Sequence, residues 1–124
     1  MIELINVSKK YDVPILKDIS IKFHPNNLYL LKGISGSGKT TLLNIVGGID
    51  AEFSGKYLYD NENVNDFNKK QKAEFSSKIG YIFQKSLLIS HLNIFDNLIF
   101  IKNDKFKIIE LSKKFNLLKL LKKM

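Results

Sequence analysis

The residues with the clearest chemical potential lie together: Gly33-Ile34-Ser35-Gly36-Ser37-Gly38-Lys39-Thr40 satisfies G-x-x-x-x-G-K-[ST] at Gly33, Gly38, Lys39 and Thr40. That spacing suits a nest for the phosphates of a nucleotide. Glycines allow positive φ angles and a close backbone approach, so successive N–H groups, with Ser35 and Ser37 among them, turn inward around an anion. A helix starting near Lys39 points its positive dipole end at the same place. Lys39 is expected to reach the β- and γ-phosphates as a compact charge and to offset negative charge during phosphoryl transfer. The Thr40 hydroxyl is expected to ligate a Mg²⁺ bridging those phosphates, and Thr41 to offer a second hydroxyl toward the α-phosphate. A glycine- and serine-rich linker would carry similar letters, but here an apolar run precedes the motif and a helix-forming stretch follows it, as the motif requires.

The elements that must hold this loop can be read from periodicity. Ile2–Val7 and the alternating Ile19–Phe23 read as strands of an antiparallel edge sheet, with Val13-Pro14 as punctuation. Leu28–Leu31, short and apolar, reads as a buried parallel strand feeding Gly33. Thr40–Val46 suits a helix stopped by Gly47-Gly48. Ser54-Gly55 opens a strand at Lys56–Tyr59 that Asp60-Asn61 closes, Lys69–Ser77 is a polar helix, and Ile79–Phe83 is a further apolar strand. Beyond it, helices are expected over Leu92–Phe100 and Phe106–Leu121. The second carries Ile108, Leu111, Phe115, Leu118 and Leu121 at spacings of three and four.

Composition narrows the class. With 124 residues and 44% hydrophobic content the chain can bury one core, and the absence of cysteine excludes disulfides and thiolate metal sites. No apolar run approaches the roughly 18 residues of a membrane span, and the N-terminus lacks the order of a signal peptide, so a cytoplasmic location is expected. The net charge of +8 permits polyanion partners, yet every cationic residue is lysine. Without arginine, bidentate reading of guanine is not available, and no specific nucleic-acid partner is expected. The basic helix ending Lys119-Leu120-Leu121-Lys122-Lys123 suits packing on its own domain better than a membrane surface.

The stretch from Gly33 to Asp50 with Ser54-Gly55 resembles the nucleotide-binding domain of ABC transporters, and further landmarks of that family follow in order. Leu16-Lys17-Asp18-Ile19-Ser20 resembles the strand entering its core, and Tyr11 the aromatic residue that stacks on adenine. Tyr81-Ile82-Phe83-Gln84 is similar to the Q-loop, and Asn93-Ile94-Phe95-Asp96-Asn97-Leu98 to the lead into the helical subdomain. The wording Gly-Ile-Asp and Phe-Gln-Lys-Ser-Leu-Leu resembles the branch of macrolide, lipoprotein and antimicrobial-peptide exporters.

The resemblance implies an α/β fold, a P-loop NTPase core of the ABC ATPase type with an antiparallel edge sheet. Residues 1–124 would form the N-terminal part of the ATP-binding domain, with a RecA-like core over 1–84 and the start of the helical subdomain over 85–124. ATP and Mg²⁺ are the implied cofactors, and Gln84 would touch the metal or the attacking water. Implied partners are a transmembrane permease subunit and a second ATP-binding subunit, on the inner face of the cytoplasmic membrane, with ATP hydrolysis powering export. The family's Leu-Ser-Gly-Gly-Gln signature, Walker B aspartate with its catalytic glutamate, D-loop and switch histidine are not found in these 124 residues. Leu111-Ser112-Lys113-Lys114 replaces the glycines a signature loop needs, and neither His24 nor His91 stands at the switch position. Asn26 occupies a family glycine position, and Lys32 an apolar one. Poor hydrolysis by the chain alone is therefore expected. The alternatives are a vestigial nucleotide-binding module and a different P-loop enzyme such as a small-molecule kinase.

Overall fold

The computed structural model describes residues 1–85, 87–101 and 103–121. They fall into two compact units, 1–81 and 82–124.

The first unit is built on β1 (Ile2–Lys10), β2 (Pro14–Phe23), β3 (Ser54–Tyr59) and the short β4 (Glu62–Asn63), in the spatial order β2-β1-β3-β4 with every pairing antiparallel. Leu4 sits opposite Ile21 on one side and Tyr57 on the other, so β1 is an interior strand. Midway, β1 bulges: Asn6 takes φ 50° and its N–H donates to Ser20 Oγ at 2.9 Å. Gly55 faces this bulge at φ +95°, where a Cβ would lie 2.5 Å from the Asn6 carbonyl oxygen. Only glycine fits there, because positive φ and backbone contact coincide.

Against the sheet lie α1 (Lys39–Val46) and α2 (Lys69–Lys78). Leu42 and Ile45 of α1, three residues apart, join Leu4, Val7, Leu16, Tyr57 and Phe75 in one buried cluster. Phe75 is the buried residue of α2 and meets Tyr57, Tyr59 and Phe67 edge to face, with centroids 5.8, 5.1 and 6.0 Å away. The Tyr57 hydroxyl donates to the Val46 carbonyl at 2.6 Å, which binds β3 to the end of α1; burial pushes this phenol's pKa up. The α1 helix ends as expected. Gly48 is left-handed at φ 70°, its N–H donates to the Ile45 carbonyl, and the Ile49 N–H donates to that of Asn44 at 2.8 Å. An Asn68–Gln71 capping box starts α2.

In the second unit, α3 (Ile94–Ile101) and α4 (Lys105–Lys114) carry N-terminal caps from Asn93 and Asp104, whose carbonyl and carboxylate oxygens accept from the Asp96 and Lys107 amides at 2.8 and 3.0 Å. Asn97 is buried and holds the preceding loop. Its Oδ1 accepts from the Ile89 N–H at 2.7 Å, and its Nδ2 donates to the Ile89, Leu92 and Asn93 carbonyls at 3.1, 3.0 and 3.0 Å.

Three sequence expectations are corrected. Leu28–Leu31 forms no strand and is exposed, Leu28 to 99%, and Ile79–Phe83 forms none either, with Ile82 97% exposed. A parallel strand exists only with hydrogen-bonded partners, and the four strands among the described residues pair antiparallel with one another alone. The helix expected to run to Leu121 stops at Lys114: Asn116 adopts φ 56°, and the Leu117 N–H returns to the Ser112 carbonyl at 2.7 Å. Residues Lys122 and Lys123 of the basic tail lie outside the described residues. No helix among the described residues is long and apolar enough to cross a membrane.

Candidate functional site

Gly33 to Thr41 wraps the N-terminus of α1. Gly38 is the cap residue, left-handed at φ 84°, and Lys39 is the first helical residue. A side chain at Gly38 would meet Leu16 Cδ2 at 2.9 Å and the Ile15 carbonyl oxygen at 3.0 Å, so β2 packs directly beneath the loop. The Lys39 ammonium folds back over the turn. It donates to the Gly33 and Ile34 carbonyls at 2.8 and 2.6 Å and to Ser37 Oγ at 3.3 Å, while the Ser37 N–H donates to the Ile34 carbonyl at 3.3 Å. No acidic residue occupies the first turn of α1, so its positive end is not neutralised within the helix. Ser35, Gly36 (φ 78°), Ser37 and Thr40 are exposed, and Thr41 is half-buried. The structure thus places the eight predicted loop residues in one contiguous, largely exposed turn at the start of α1, with the Lys39 ammonium held across it. Such a surface offers N–H donors, a helix dipole and the Lys39 cation to an incoming phosphate.

Magnesium is the ion to test against this donor set. Among the described residues no cluster of three or more acidic or histidine side chains could hold a metal. A hydroxyl such as that of Thr40 fits a Mg²⁺ that keeps several waters and takes its remaining oxygens from nucleotide phosphates, the usual way this ion is bound.

Tyr11 lies in the turn between β1 and β2 and is 56% exposed. Its hydroxyl donates to Asp50 Oδ2 at 3.1 Å, and Lys9 Nζ stands 4.8 Å from its ring centroid. Lys9 is buried and donates to Asp50 Oδ1 at 2.9 Å and to the Glu52 carbonyl. The hydrogen bond to Asp50 raises the Lys9 pKa, against the opposing effect of burial. Burial pushes the Asp50 carboxyl up, but hydrogen bonds from Lys9, the Glu52 amide and Tyr11, with the nearby lysine charge, hold it below its usual value. Sequence reasoning missed Lys9 and Asp50, because the pair is 41 residues apart and neither belongs to the loop motif. Their signal was only the β1–β3 register, which brings Ser8 opposite Ser54. Gln84, the remaining predicted site residue, is exposed in a bend of the second unit.

Known proteins give this geometry a family. A family model described as ABC transporter matches residues 16–124. The macrolide export ATP-binding/permease protein MacB of Syntrophobacter fumaroxidans is 41% identical over 103 residues, covering 78% of this chain and 14% of that protein. The spermidine/putrescine import ATP-binding protein PotA of Clostridium novyi is 38% identical over 101 residues, covering 81% of this chain and 28% of that protein. Among solved structures, a dimeric bacterial ABC transporter cassette superposes with a TM-score of 0.72 at 33% identity, over 81% of this chain and 46% of that one. The same cassette in a post-hydrolysis state with ADP and Pi gives 0.71 at 32% identity, over 84% and 49%. The chain therefore spans less than half the length of each of these relatives. The matched residues include the phosphate loop, the β2 segment beneath it and the helices of the second unit, and the chain belongs to the ABC transporter family.

Proposed function

We propose that this chain supplies the P-loop side of the ATP site in an ABC transporter ATPase. The observation that carries the proposal is the Lys39 ammonium held over the Gly33–Ser37 turn at an unneutralised helix N-terminus. In this reading the loop amides and Lys39 hold the β- and γ-phosphates, Thr40 ligates Mg²⁺ and Thr41 faces the α-phosphate. Tyr11 stacks on adenine, and Gln84 approaches the metal or the attacking water. Residues 1–84 belong to the nucleotide-binding core and 85–124 begin the helical subdomain. In-line attack on the γ-phosphate needs an oriented water and charge stabilisation from more than one direction. Nothing in these 124 residues matches an apolar run ending in Asp-Glu to orient that water. The chain alone is therefore expected to bind ATP and to turn it over negligibly.

The full site is completed when a second ATP-binding subunit closes over the nucleotide, a reading supported by the dimeric form of the related cassette. Peripheral on the inner face of the cytoplasmic membrane, the chain would pass the motion to a transmembrane permease subunit. Export is the direction favoured by the 41% identity to a macrolide exporter, against 38% to a polyamine importer. A kinase reading has no comparable support, since the family match runs through the second unit as well as the loop.

Competition binding of ATP, ADP and AMP tests the site. Because the nest and Lys39 act on the β-phosphate, ADP is expected to compete within about tenfold of ATP and AMP to fail. AMP competing as well as ATP would remove the phosphate nest from the account.

A further inference from the structure

A tyrosine exposed at a hairpin tip samples several rotamers, and stacking a base on it must freeze that freedom. Tyr11 is not left free in this way. One oxygen of Asp50 accepts from its hydroxyl at 3.1 Å while the other accepts from Lys9 at 2.9 Å. The Lys9 ammonium in turn stands 4.8 Å from the ring centroid, so a planar base stacks on the opposite face.

Asp50 is itself fixed from two directions. Its backbone N–H donates to the Asn44 carbonyl of α1 at 3.1 Å, and its Oδ1 accepts from the Glu52 amide at 3.0 Å. The carboxylate thus belongs to the connection that leaves the phosphate-loop helix, and it holds a ring that follows β1. We propose that Asp50, backed by Lys9, is a positioning residue that sets the Tyr11 ring for the nucleotide base without itself touching nucleotide. The proposal rests on Tyr11 being the base platform. It adds a coupling between the helix that begins at the phosphates and the aromatic residue that meets the other end of the ligand.

The test measures affinities of the chain and its variants for Mg-ATP and for Mg-tripolyphosphate, which carries the phosphates and no base. Tyr11→Ala is expected to weaken ATP about tenfold and leave tripolyphosphate unchanged. Tyr11→Phe, which keeps the ring and loses only the tether, and Asp50→Asn, which keeps the side-chain shape, are each expected to weaken ATP about three- to fivefold with tripolyphosphate unchanged. Asp50→Asn added to Tyr11→Ala should cost nothing more. If Tyr11→Ala loses ATP affinity while Tyr11→Phe and Asp50→Asn bind as the parent does, the positioning role alone is overturned. If Tyr11→Ala also binds as the parent does, the adenine platform falls, and the positioning role with it. Asp50→Asn weakening ATP and tripolyphosphate equally would make Asp50 a support of the fold, and this too overturns the proposal.

Discussion

Replacing Gly38 by alanine sets two costs on one atom. At φ +84° an L side chain pays about 1–2 kcal/mol for the left-handed backbone. The new Cβ would also lie 2.9 Å from Leu16 Cδ2, 3.0 Å from the Ile15 carbonyl oxygen and 3.1 Å from Ile15 Cγ2. All three contacts are with β2, whose Leu16 is buried, so relief requires the loop or β2 to move, and overpacking of this kind costs about 1–3 kcal/mol. The sum is about 2–5 kcal/mol. Gly36 is the internal control, because it shares a positive φ of +78° but a Cβ there meets nothing within 4 Å. Gly36→Ala should therefore cost only the backbone part, about 1–2 kcal/mol. Urea unfolding followed by circular dichroism separates them: at a slope near 2 kcal/mol per M, Gly38→Ala should unfold roughly 0.5–1.5 M earlier than Gly36→Ala. Equal midpoints would refute the claim that β2 packs tightly under the phosphate loop.

Further expectations follow from the same geometry. Asn97→Ala removes the side-chain partner of the Ile89 N–H and of the Leu92 carbonyl, while the Ile89 and Asn93 carbonyls keep the Leu92 and Asn97 backbone N–H donors, and it should cost about 1–3 kcal/mol, read as faster amide exchange of Ile89. The Lys9–Asp50 pair predicts a flat stability contribution across neutral pH. Asp50's folded pKa is depressed, so its contribution is complete above the ordinary value of 3.8 and is lost as pH falls through the folded value below it. Lys9's is raised, so its contribution is complete below 10.5 and is lost as pH rises through the folded value above it. Denaturation midpoints of the parent and of Asp50→Asn should differ by a constant amount between about pH 5 and 10 and converge in stronger acid. A difference that changes through neutral pH would assign the pair's effect to another group.

Much of this protein was legible because its determinants are local. The loop motif names its own residues, and α1 starts and stops on Gly38 and Gly48, whose left-handed conformations can be anticipated from the sequence. The alternation of Ile19–Phe23 and the polar run of α2 likewise report their own structure. Where the determinant was a partner, legibility ended. Leu28–Leu31 has a buried strand's composition but pairs with no strand among the described residues, so composition alone misplaced it. The end of α4 turns on one asparagine, Asn116, inside an apolar periodicity that otherwise continues to Leu121. The Lys9–Asp50–Tyr11 cluster required the register between β1 and β3, and no local pattern marks Asp50 as the acceptor for both.

The central claim is that Gly33 to Thr41 is a phosphate site organised by Lys39. Isothermal titration of the chain with Mg-ATP, beside Lys39→Ala, tests it most directly. The account predicts saturable one-to-one binding by the parent and at least a tenfold loss in Lys39→Ala, equivalent to about 1.4 kcal/mol. Equal affinity in both proteins, or no binding by a parent that is folded, would contradict it.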